Sequence, residues 1–279
     1  MRLRVKAHCA GAVVGAMLFF AGSAHSQTAS NVPFTVSDAR PLAKAAEIIE
    51  VKYGLLINYE DPAYVHADDV RDDTDLKYKQ QDPSARALSV RGGQLVFDVE
   101  ARADGRGLAN PMRALQTVVD AHNSRGLPGS FRVLQTKDTF SIVPVAVKDR
   151  SGRVGSFSSP LDAKMSIPER EVTGTQLVEL ICEEVTRASG FRVVPGLLPS
   201  NVLNNTTVVL KATNEVAREV LLRALPGLSW KQPGITIPPR KLVWQLFYAP
   251  GPEMYFLHLH VAMKEVPARF FARTIQVPQ

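Results

Sequence analysis

Chemistry is sparsely written in this chain, and it begins near the C-terminal end. His258 and His260 alternate with Leu257, Leu259 and Val261, and residues two apart on a strand share a face. Paired imidazoles on one face can serve zinc once a third ligand joins them, and the chemistry would be metal-assisted hydrolysis. No spacing nominates that third ligand. The simpler reading makes both histidines the exposed side of an amphipathic strand whose other side is Tyr255, Leu257, Leu259 and Val261. Glu60 to Asp82 holds eight of the 27 acidic residues, enough oxygens for a calcium ion. It lacks the alternating acids and central glycine of a calcium loop, and Arg71, Lys77 and Lys79 interrupt it. It reads as a solvated insertion, the first place to look for a partner surface.

Other candidates have equally plain readings. Cys182 falls among Val178, Ile181 and Val185 on one helical stripe, where a thiol packs as a small hydrophobe. Gly105-Arg106-Gly107 precedes a helix, but Asn110 stands where a dinucleotide loop needs its third glycine. His122 near a helix C-terminus would complement the dipole as a cation. Trp230, Trp244, Tyr248 and Tyr255 could form stacking platforms for a glycan, although aromatics at strand spacing usually face a core. No G-x-S-x-G, H-E-x-x-H, S-x-x-K or P-loop sequence occurs. No catalytic, cofactor-binding or metal-ligating residue is assigned, and no cofactor is expected.

These residues need elements to hold them, and composition limits which. In 279 residues, 45% are hydrophobic and 22% charged, with two cysteines. That excludes a disordered acidic tail, a disulfide miniprotein and a multi-span membrane protein. Arg2, Arg4 and Lys6, the apolar run Ala10 to Ala21 and Ala24-His25-Ser26 read as a signal peptide over residues 1–26. The expected location is periplasmic or secreted, without a later transmembrane span. Removing three of its positives lowers the formal charge from +6 to +3, so nucleic acid is not an expected partner. Cys182 would then be the sole thiol.

The remainder reads as one unit written twice. In residues 27–147, a strand near Phe34 leads to a helix over Leu42, Ala45, Ala46, Ile49 and Tyr53, ended by Gly54. Leu55 to Tyr59 and Gln94 to Ala101 follow as strands. Asn110 caps a second helix and Pro111 opens it, before a hairpin around Lys137-Asp138. Residues 163–279 repeat the order. Thr173 and Gln176 form a capping box, Gly190 answers Gly54, Asn214 answers Asn110, and Leu228 to Lys231 with Leu242 to Tyr248 answers the first hairpin. A last hairpin, Val243 to Tyr248 with Met254 to Lys264, reads as an addition. Residues 60–94 are an insertion confined to the first copy, and 148–162, rich in Ser, Gly and charge, read as a linker.

This order, with Gly54 closing one helix and Asn110 opening the next, resembles the short N-terminal domain shared by secretins and TonB-dependent receptors, here in tandem. The resemblance implies split βαβ modules that bind protein partners and carry no catalytic residues. The expected fold is α+β: two tandem modules, each with two helices on small mixed sheets. The expected function is that of an exported, non-enzymatic scaffold with an envelope protein as partner. The alternatives are a hydrolase using His258 and His260, or a glycan or peptidoglycan binder.

Overall fold

A computed structural model describes residues 30–228 and 241–262. The expected signal peptide, Trp230 and most of the strand expected at 228–231 lie outside that range. In chain order the first half contains β1 (Ser30–Asp38), α1 (Pro41–Tyr53), β2 (Leu56–Glu60), β3 (Val70–Asp72), α2 (Leu76–Gln81) and β4 (Leu88–Val90). It continues with β5 (Gly93–Ala101), α3 (Pro111–Ser124), β6 (Ser130–Thr136), β7 (Thr139–Lys148) and β8 (Val154–Ser156). The second contains β9 (Lys164–Thr173), α4 (Gly174–Ser189), β10 (Val193–Pro195), α5 (Ser200–Leu203), β11 (Thr207–Val216), α6 (Ala217–Ala224), β12 (Leu242–Ala249) and β13 (Met254–Val261). The fold is α+β.

Local sequence explains most boundaries. Gly54 and Gly190 end their helices at φ 70° and 76°, the left-handed conformation that glycine adopts without a Cβ penalty. Thr173 and Gln176 form the capping box, and Asn110 accepts from the Arg113 N–H at 3.0 Å. Asn214 breaks the analogy. It lies inside β11 at φ 51°, and α6 starts after Val216, whose side chain cannot accept a hydrogen bond.

The register corrects the hairpin assignment. Ile57 pairs with Phe140 and Val193 with Tyr255, each strand residue three past its helix-ending glycine. β13 is therefore the counterpart of β7, and β12 that of β6. The last hairpin is the second copy's own, not an addition. The sequence pattern could not choose between two successive apolar stretches, whereas pairing to β10 does.

Both copies contribute to one sheet, ordered β10-β13-β12-β2-β7-β6, with β8 beside β7. The join is the parallel pairing of β12 with β2 at Gln245↔Tyr59 and Leu246↔Glu60. Leu246 packs into the core beneath α4 and α6, and Tyr59 into the core beneath α1 and α3. Successive strand residues face opposite ways. The two helix pairs therefore cover opposite faces of the shared sheet. Two separate antiparallel ribbons, β1 with β5 and β9 with β11, close the cores from outside. On α4, Leu177, Val178, Ile181 and Val185 are fully buried, each stabilising by about 1.5–3 kcal/mol.

The segment 148–162 is less of a tether than its composition suggests. Val154–Ser156 pairs with β7, and Ser159 and Asp162 cap a 3-10 turn that buries Leu161 completely. The sheet's outer edges are guarded in part. The Thr186 hydroxyl serves both the N–H and the carbonyl of Val193, and Pro195 offers no N–H. At the other end the Asn123 amide does the same for Phe131. Guarded edges resist strand addition.

Candidate functional site

The seam between the copies is polar, and its buried charges are paired. Glu60, wholly buried at the end of β2, takes both prongs of the Arg218 guanidinium at 2.7 Å each, and Asp162 takes a third N–H. Burial works to lower the Arg218 pKa, but Glu60 and Asp162 outweigh it and hold it above the usual arginine range. One residue further on, Asp61 accepts from Arg40 Nε at 2.6 Å, the Tyr248 N–H at 3.0 Å and the Tyr64 hydroxyl at 3.3 Å. Asn58 Oδ1 accepts from the Trp244 N–H at 3.0 Å while its amide donates to Ser141. Asn58 and Glu60 of β2, with Asp61 just after it, thus grip the second copy. By the offset from Gly54 to Gly190, their counterparts are Val194 of β10 and Gly196 and Leu197 just beyond it, whose side chains could make none of these contacts.

His258 and His260 do lie on one face of β13, opposite Tyr255, Leu257 and Leu259. They do not share a ligand position. His258 Nδ1 accepts from the Leu197 N–H at 3.0 Å, its ring resting on Gly196, where a Cβ would come within 2.9 Å. With Nδ1 occupied, the neutral ring carries its proton on Nε2 and has no lone pair left for a metal or a substrate proton. Burial, then Arg40 and His260, lowers its pKa and favours that neutral form. His260 Nε2 meets Glu50, a buried carboxylate of α1, at 3.0 Å. Among the described residues, no three His, Cys, Asp or Glu side chains gather to hold a metal ion.

The other candidates are structural. Cys182 is 3% exposed, and burial, with Glu179 nearby, pushes its thiol up to about 12. Dithionitrobenzoate should therefore label the folded protein at least about 100-fold more slowly than the denatured chain. A rapid stoichiometric reaction of the native protein would contradict this placement. Trp244, Tyr248 and Tyr255 are buried at 1%, 2% and 0% exposure, so they present no face to a sugar.

His122 corrects the expectation of a surface cation. It is buried against Phe131 with Nε2 donating to the Pro128 carbonyl at 3.2 Å, and burial lowers its pKa. The unfolded chain protonates this group near pH 6.5 and the folded chain only lower. Its contribution to stability is complete above about 6.5 and is lost as pH falls through the folded value. In urea titrations, the stability gap between wild type and His122→Leu should narrow from pH 7.5 to pH 5.5. A widening gap would reverse the assignment.

Two features remain open. The ladder between β2 and β12 stops after two residue pairs, and beside it lies a cleft of about 870 Å³. Leu56, Leu222, Leu242 and Trp244 form part of its lining, with Lys137 and Asp138 from the first copy and Glu215, Glu219 and Arg223 from the second on its walls. Sequence spacing gave no signal for it, because its residues come from both copies.

The second feature is the insertion. Its start is a buried loop, not a solvated one: Glu60, Asp61, Ala63, Tyr64 and Asp69 are buried. From 71 to 87 it is an arm carried on the β3–β4 ribbon, and α2 buries no residue. Asp75 caps α2, Lys79 pairs with Asp72 at 2.8 Å, and Thr74 accepts from the Ala87 N–H at 2.6 Å. The arm is ordered by its own hydrogen bonds, yet Leu76 and Tyr78 are 76% and 63% exposed.

No helix among the described residues is long and apolar enough to cross a membrane. Comparison with protein-family models, curated proteins and solved structures finds no match to this chain.

Proposed function

We propose that this chain is an exported, non-enzymatic cell-envelope protein that works by holding a protein partner on its 71–87 arm. The observation carrying the proposal is the arm itself, a segment fixed by local polar bonds that packs none of its helix and presents Leu76 and Tyr78 outward. Ordered apolar side chains held away from a core suit recognition, since little entropy remains to be lost on binding. The resemblance to the short domain of secretins and TonB-dependent receptors supports the same reading, as those modules bind proteins. The guarded outer strands make the arm the better surface than the sheet ends.

The seam limits how the test can be made. Removing all of 60–94 would delete Glu60 and Asp61 and the fold with them. Asp72 and Leu88 are direct partners across the β3–β4 ribbon, so residues 73–87 can be replaced by an Asn-Gly turn. A photo-crosslinking residue at 78 should give one dominant adduct in envelope preparations, absent from a control at the equally exposed Val154. The arm-less protein should melt within about 3 °C of wild type. Equal labelling at 78 and 154 would sink the proposal.

A further inference from the structure

We propose that His258 is an acid-released latch that holds the 196–199 loop against β13. This is independent of the arm. The loop carries the chain from β10 to α5 and lies along β13. The Gly196 N–H donates to the Leu257 carbonyl at 2.9 Å, the Leu259 N–H to the Leu197 carbonyl at 2.9 Å, and the Leu197 N–H to His258 Nδ1 at 3.0 Å. Of these three bonds, the last alone runs through a group that can change its charge. The ring also lies flush on the loop, since a Cβ at Gly196 would come within 2.9 Å of it.

A proton on Nδ1 reverses that bond, because an imidazolium donates from both nitrogens and has no lone pair for the Leu197 N–H. The surroundings oppose the added charge. Arg40 and His258 lie against the same Phe247 ring, the guanidinium carbon 4.8 Å and the imidazole 5.3 Å from its centre. His260 follows on the same face of β13 and meets Glu50 of α1, while Asp61 is bonded to Arg40. β12 faces the ring with Gln245 and Phe247, and the loop, Gly196-Leu197-Leu198-Pro199, brings no charge. Both nearby carboxylates are thus engaged with other cations or imidazoles, and burial, then Arg40 and His260, lowers the His258 pKa. A released ring would take its proton near the ordinary value. The latch is therefore fully closed above about pH 6.5 and opens as pH falls through the lower folded value. Leu197 is already 76% exposed, so what release uncovers is Leu198, which packs on the core beneath α4 and α6.

The test is amide hydrogen exchange on the full chain, corrected for the intrinsic rate at each pH, beside an NMR titration of the imidazole. Between about pH 7.5 and 5.0, protection of the Leu197 amide should fall roughly three- to tenfold, the worth of one hydrogen bond. The fall should track the His258 ring signals, while the amide of Ile181, a fully buried residue of α4, keeps its protection. His258→Asn places an acceptor where Nδ1 stood but cannot take a proton, so its Leu197 amide should stay protected across the range. A wild-type Leu197 amide indifferent to pH would overturn the proposal, as would a fall that follows a different range from the ring. An equal fall in His258→Asn would assign the release to another group, and an equal fall at Ile181 would make it global; either result also overturns the latch.

Discussion

Arg218→Ala should destabilise the protein by about 3–5 kcal/mol, because Glu60 would remain fully buried with no counter-charge. Part of that loss also reaches Asp162, the guanidinium's other partner. Arg218 and Glu60 belong to different copies, so the substitution acts on their junction, and urea unfolding is to be followed by tryptophan fluorescence and circular dichroism together. The double variant Arg218→Met/Glu60→Met should recover most of the loss, since a buried ion pair is strongly penalised when broken but less so when replaced by apolar groups of similar volume. If the single and double variants are equally unstable, the pair is not the junction's electrostatic lock. If Arg218→Ala costs under about 1 kcal/mol, Glu60 is far better hydrated than its geometry implies.

Trp244→Ala should cost about 3–5 kcal/mol. The ring is almost completely buried beside Leu246 and the α4–α6 core, and its main-chain N–H is held by Asn58 at the junction. Trp244→Phe should cost under about 1.5 kcal/mol, because a phenyl ring keeps much of the contact while removing an indole N–H that has no partner. The contrast is the measurement: a large gap between the Ala and Phe variants assigns the residue to packing. A Phe variant as unstable as the Ala variant would mean that the indole nitrogen makes a bond in solution.

Neither result depends on what the protein binds. Together they separate what holds the copies together from what remains for a partner. Of the buried charged side chains, Glu60, Asp61, Glu50 and Arg218 bond across the seam, while Asp69 pairs with Lys148 inside the first copy. The arm and the cleft lie outside that set. Loss of binding without loss of stability is therefore attainable at Tyr78, and this separability is what the crosslinking experiment exploits.

The repeat, the helices and their ends were legible from the residues because they are set locally. A glycine that can take positive φ ends a helix wherever it sits, as Gly54 and Gly190 do, and Thr173 with Gln176 caps one within a single turn. The Cys182 stripe was likewise readable from 3.6-residue periodicity. What the chain could not announce was which hairpin answers which, that β12 docks on β2, that His122 is buried, or that Asn214 falls short of its helix. Those depend on partners outside the element itself: β12 meets β2 from 186 residues away and β10 meets β13 from 62, Asn214 is held against β9 48 residues earlier, and His122 is covered by Pro128 and Phe131 of the next turn and strand. Local preference fixes the shape of each piece, while pairing across the seam, through Asn58, Glu60 and Asp61, fixes where the pieces meet and so where a cleft or an arm is left uncovered.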